Sequence, residues 1–326
     1  MITLLLATTT ASAQTLAWTW TPETERTWHI ETVIGYSNPI WLRARQDLEG
    51  RAEKIHSEQI WTCRAGEPGR TGWELSCTIV DVRLVVDPLE NEEEEVRAIL
   101  PELDEALTGA VVQLQLDRTG HLRAVDLEGV AKDNRRTSAI HETLRLLVAR
   151  SAAGFDLHLP PNGDLKETWR QKDDLLYSYP TSSGALSGAR IEHALGEHDT
   201  RHVGIRSVGT GTIRVGEPST NPAAPPGNED PWMLDVDSEA QALWDGIDGA
   251  LVGRRWVAIA RPMASSGWQV GQGVEPYLQT GILTLVPEGT PREPLAESAL
   301  WTVDFAPGAS WKQLLANPLW RSQAPP

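Results

Sequence analysis

Apolar positions in the first third of the chain recur at every second residue. Over residues 27–36, Trp28, Ile30, Thr32, Ile34 and Tyr36 share one face, which is the signature of a half-buried strand. Residues 40–48 continue the alternation, with Leu42 and Ala44 on one side and Arg43 and Arg45 on the other. The next stretch reads as a hairpin. Residues 55–63 lead into a run of turn formers at 65–72, and 73–86 return rich in β-branched residues. Pairing about Arg70 sets Cys63 opposite Cys77, Trp61 opposite Ile79 and Gln59 opposite Asp81.

The period then changes. A helical interlude begins near Leu89, is interrupted around Pro101 and ends near Gly109. A hairpin follows over 111–125, turning at 117–120. The clearest helix covers 134–153, where Ile140, Leu144, Leu147 and Val148 fall at i, i+4, i+7 and i+8 and Gly154 is a natural stop. Strands resume at 156–161, 169–179 and 190–215, and Gly204, Gly209 and Gly211 predict bulges or strong twist in the last of these. Five prolines within 217–231 mark a surface loop. Strands continue from 232 to 286, and a Pro-rich tail occupies 287–326, with a short helix expected at 311–315.

Half-polar strands point to antiparallel rather than parallel pairing, and a single-stripe helix is built to lie on a sheet. The expected fold is therefore α+β. A large curved antiparallel sheet, either a half-barrel or a two-sheet sandwich, carries one or two helices on its concave face. It forms one β-rich domain over 14–286.

The N-terminus adds a compartment. A short apolar run, 2–7, leads to Ala11-Ser12-Ala13, the A-x-A pattern of a signal peptide cleaved after Ala13. Nothing basic precedes the run, so a start codon upstream fits as well. Cys63 and Cys77 are the only cysteines, and with no further Cys or His at ligand spacing a disulfide is the expected state. Both signals place the mature protein in the periplasm or outside the cell. No apolar run approaches the roughly 18–20 residues of a membrane-spanning helix.

The net charge is −16. Half of it lies in 87–107, where nine acids face one base, Arg97; this reads as a solvated helix face. Such a balance argues against nucleic acid, whose binding rests on basic residues. Candidate chemistry is sparse. His193, His198 and His202 lie near one hairpin tip beside Glu192, Glu197 and Asp199, which leaves a metal site open there, though the spacings of five and four are not helical. Asp235, Asp237 and Glu239 open like an EF-hand loop, but Ala240 stands where that loop needs Gly. They fit the acidic outer face of a strand better. No nucleophile elbow, P-loop or dinucleotide fingerprint is present, so no catalytic residue and no cofactor is implied.

Tryptophan is the unusual component: 14 Trp against four Tyr and two Phe. Trp232, Trp244, Trp256 and Trp268 recur every twelve residues, the length of a strand and its turn. They serve as core aromatics, or line a groove where an amphipathic ring suits a half-wet site.

The middle of the chain resembles an uncharacterised class of exported bacterial β-rich proteins. Its marks are a strand pair of the form x-V-x-L-x-x-x-G-x-L at 112–122, an amphipathic helix at 134–153, Leu159-Pro160 and Trp169. Gly163 stands six residues ahead of that Trp rather than just before it. The order of elements is also similar to lipoprotein-carrier half-barrels, in which a curved sheet wraps a helix and holds acyl chains. That resemblance implies non-enzymatic binding of a lipid or other amphipathic ligand, or of an envelope partner. Ile140, Leu144, Leu147, Val148, Trp169, Trp244 and Trp256 would line the cleft. A structural or assembly subunit of an envelope complex is the alternative, and a hydrolase with acidic catalytic residues a further one.

Overall fold

The computed structural model describes residues 18, 20–36, 48–128, 139–160, 168–172, 186–198, 201–215, 232–262 and 277–286. The expected signal peptide, the segment 37–47, the Pro-rich loop at 217–231 and the C-terminal tail lie outside the described residues. Eleven strands are β1 (Glu25–Tyr36), β2 (Ala52–Ala65), β3 (Gly72–Pro88), β4 (Val111–Asp117), β5 (Leu122–Leu127), β6 (Thr168–Lys172), β7 (Leu186–His198), β8 (His202–Val215), β9 (Trp232–Asp245), β10 (Ala250–Pro262) and β11 (Tyr277–Val286). The helices among the described residues are α1 (Leu48–Arg51), α2 (Glu93–Leu107) and α3 (Ala139–Ala152), the last running into a 3₁₀ turn at Ala153–Phe155.

All the strands join in one antiparallel sheet ordered β5-β4-β3-β2-β1-β11-β10-β9-β8-β7-β6. Two meanders thus meet at a central seam between β1 and β11, where Thr27 pairs with Val286 and Tyr36 with Tyr277. The first runs outward from the seam to β5. The chain then crosses through α3 to the far edge at β6, and the second meander returns inward. The α+β curved-sheet expectation holds, with α2 and α3 on its inner face.

The inner face follows directly from the alternation. Across the seam region it presents Trp28, Ile30 and Ile34 from β1, Ile55 and Trp61 from β2, and Leu283 from β11, all essentially excluded from solvent. From α3 come Leu144, Leu147 and Val148, joined by Phe155 and Leu157 from the segment that follows. Burying such side chains is worth roughly 1.5–3 kcal/mol each. Trp256 lies flat on Gly281: a Cβ built there would stand 2.2 Å from the indole. Only glycine lets that ring reach the sheet backbone.

The β2–β3 hairpin forms as its sequence predicts, with Cys63 paired to Cys77, Trp61 to Ile79 and a disulfide joining the cysteines. Beyond that point the register departs from the expectation. Ile60 pairs with Asp81 and Gln59 with Val82, because Val80 is extruded as a β-bulge. The slip keeps Val82, Leu84 and Val86 on the inner face, where unbroken pairing would have turned them outward.

Two further expectations are corrected. Leu48 opens α1 instead of closing a strand. α2 continues through Pro101 without a break, since Val96 before the proline and Leu103 and Leu107 after it are all buried against β3 and α3. That anchoring outweighs the roughly 3 kcal/mol a mid-helix proline costs. Glu93, Glu94, Glu95, Glu102 and Glu105 of α2 are exposed, as the charge run implies, whereas Asp104 is half-buried and burial raises its carboxyl above the usual value.

Candidate functional site

The crossover strings polar residues through this apolar interior. After the 3₁₀ turn, the chain from Asp156 to Leu159 lies along the β4–β5 turn, with Leu157 N–H donating to Gly120 O (3.0 Å) and Leu159 N–H to Thr119 O (2.7 Å). Alternation along this extended segment sends Asp156 and His158 to one side. There His121, just past the turn, donates from Nδ1 to Asp156 Oδ1 at 2.8 Å. Leu122 N–H reaches the same oxygen at 3.0 Å, and His158 Nε2 stands 3.4 Å from it.

The rings then stack across the molecule. His121 lies on His158 with centroids 4.5 Å apart, His158 faces His193 of β7 at 5.2 Å, and His193 lies on Trp169 of β6 at 5.2 Å. Trp169 closes the chain by donating from Nε1 to His158 O at 3.1 Å. This column connects the β4–β5 edge of the sheet to the β6–β7 edge through the crossover.

Electrostatics within it are sharply set. Burial alone would raise Asp156, but the charge of His158 and hydrogen bonds from His121 and His158 outweigh it and hold the carboxyl well below its usual range. Burial, with the neighbouring His158 next in weight, lowers His193 to about 3. That histidine is therefore neutral at physiological pH, sharing a hydrogen bond between Nδ1 and Ser207 Oγ at 2.8 Å. Burial also lowers Arg254, with the charge of Asp156 opposing it, and the guanidinium donates to Ala153 O. Beside these groups a cavity of about 20 Å³ is bounded by Asp156, His158, Ser207, Glu239, Arg254 and Trp256; it holds about one water.

The three clustered histidines of the hairpin do not converge. His193 pairs with Ser207, five residues along β8 from His202, roughly 17 Å at the rise of a strand. His198 sits at the end of β7 opposite Val203. His193 is drawn instead to His158 and His121, which the sequence did not nominate because they come from separate elements. Of the seven nominated cleft residues, Leu144, Leu147, Val148, Trp169, Trp244 and Trp256 belong to one buried cluster, and half-buried Ile140 packs against it.

Trp244 leads to the second feature. The turns β2–β3, β4–β5 and β9–β10 all lie at one rim of the curved sheet, and Trp18 with residues 20–24 lies across it. Glu23 N–H donates to Ala65 O. Trp18 and Trp20 stack with centroids 6.2 Å apart, Trp18 meets Trp244 edge-on at 5.0 Å, and Trp20 packs on Trp28 at 5.1 Å. Trp28 in turn contacts Phe155. The two indoles stopper the rim. Three indole N–H groups here, on Trp18, Trp28 and Trp244, are buried with no acceptor, whereas buried indole donors ordinarily find one.

No protein-family model and no curated protein matches this chain. Among solved structures it is similar to one described as "Lipid-protein interactions in lipovitellin", at 9% identity and a TM-score of 0.45, over 85% of this chain. The match spans 27% of that protein's length. No helix among the described residues is long and apolar enough to cross a membrane.

Proposed function

We propose that this is an exported, non-enzymatic protein of the cell envelope or its surroundings, whose half-barrel binds an amphipathic ligand at the Trp-stoppered rim. The observation that carries the reading is the group of three buried indole donors without acceptors. Each costs about 1–3 kcal/mol while unpaired. A ligand with an apolar body and an acceptor head would replace the stacked Trp18 and Trp20 and satisfy such donors. The disulfide between Cys63 and Cys77 fits an oxidising compartment.

The cavity beside Asp156 and Arg254, about 20 Å³, is far too small for an acyl chain; on this reading the ligand enters the rim as Trp18 and residues 20–24 swing away. The same tight packing favours a second reading, a scaffold subunit with a permanently filled core. Mass spectrometry of a lipid extract from natively purified protein separates them. The binding reading expects a co-purifying amphiphile near one per chain. It also expects saturable uptake of a fluorescent fatty acid by energy transfer from tryptophan. A clean extract with no saturable uptake rejects it.

A further inference from the structure

We propose that Glu31, His56 and Glu58 form a site for a divalent first-row transition cation of the Zn²⁺ type on the outer face of β1 and β2. It is independent of the rim reading. Glu31 pairs directly with Glu58, and His56 pairs with Val33, two positions further along β1. Period-two alternation therefore puts all three side chains on the face opposite the tryptophan core. They sit beside the seam, on two strands that are hydrogen-bonded on both sides.

The three are buried: His56 is 3% exposed, Glu58 5%, and the Glu31 side chain 12%. Buried Val33 and Ile60 share the face. Two carboxylates directly opposite each other across a strand pair repel, and a low-dielectric setting strengthens that repulsion. His56 Nε2 is 2.8 Å from Glu31 Oε1 but 4.0 Å from Glu58 Oε1, which is too long for a hydrogen bond. Glu58 is thus a carboxylate more than nine-tenths buried, directed at the other two groups and not hydrogen-bonded to them. Half-buried Arg83 stands across from it on β3 and supplies positive charge at the margin.

One ligand atom from each residue lies within 4.8 Å of the others. Bonds of about 2.0–2.2 Å to zinc require only small side-chain rotations from this starting geometry, with a fourth position left to water. One imidazole nitrogen and two carboxylate oxygens suit a borderline ion. Calcium, which takes six to eight oxygens, is poorly served. His121, Asp156 and His158 also lie within 4.8 Å of one another, yet they make a worse pole for a cation. There a single carboxylate faces two imidazoles, and one of its oxygens already accepts from His121 and Leu122.

The test uses the full chain, stripped with chelator, its disulfide intact, titrated with Zn²⁺ by calorimetry and with Co²⁺ by visible absorption. The expected result is one equivalent bound, with a d–d spectrum for cobalt. Glu58→Gln and Glu31→Gln should each weaken zinc binding by more than about 100-fold, while His121→Asn leaves it unchanged. No stoichiometric uptake by the wild type overturns the site. So does uptake that survives both Gln variants, or uptake abolished in a His121→Asn protein whose circular dichroism and thermal midpoint show it folded. Should a Gln variant fail to fold, the wild-type His56 ring resonance decides: a shift with one equivalent of Zn²⁺ supports the site, and none overturns it.

Discussion

His193 illustrates how much one buried side chain can set. Its ordinary value of 6.5 falls to about 3 in the fold, so the unfolded chain takes up a proton that the native protein refuses. The unfolded state therefore binds more protons between these two values, and stability rises with pH across that window. Acidification exposes this: stability should fall as pH drops below about 6.5, with a slope approaching 1.4 kcal/mol per unit. Asp156, held below its ordinary value, adds a further loss only at pH below about 3.8. Urea midpoints measured from pH 7.5 to 4.5 (roughly, to span the window) should decline in the wild type and flatten in His193→Gln. Equal slopes in both would place the proton uptake elsewhere. Gly281 makes a steric counterpart: Gly281→Ala must drive Trp256 off the sheet and should cost about 1–3 kcal/mol, read as a lowered thermal midpoint.

Elements show which signals the sequence carries and which it does not. The β2–β3 hairpin is legible because turn formers centre it and two cysteines fall in register. The bulge at Val80 is not, since nothing local distinguishes an extruded valine from a paired one; the need to keep Leu84 and Val86 inside decides it. Helix α3 is legible from its stripe, while the passage of α2 through Pro101 depends on partners that only the tertiary structure supplies. Because Pro101 is exposed and lies inside α2, Pro101→Ala should stabilise the protein by up to about 3 kcal/mol. No gain in thermal midpoint would mean that α2 already absorbs the proline without strain. The disulfide spans 14 residues, and opening it by a double Cys→Ala substitution should cost about 3 kcal/mol in chemical denaturation. The interior polar column and the Glu31 cluster were invisible for one reason. Each joins an i, i+2 pair, His56 with Glu58 or Asp156 with His158, to a residue of another element, and such a pair alone looks like ordinary polar positions of an extended segment.

At the scale of the whole molecule, the curved sheet and its inward helices were readable from alternation and stripe, but the seam was not. Antiparallel hairpins announce themselves through short turns, whereas β1 and β11 find each other only after everything between them has been placed. The rim stopper belongs to this scale as well. Trp18→Ala should increase uptake of a fluorescent fatty acid by the folded protein if the stacked indoles occupy the ligand's place; unchanged uptake would count against the stopper as a gate. The seam has its own consequence for biogenesis. During synthesis, β1 emerges first and must wait for β11 before its second edge is covered, so the half-made sheet stays open and slow to lock. Until its last strand arrives, a chain delayed in this way keeps an unpaired edge of β1 open to pairing with another chain.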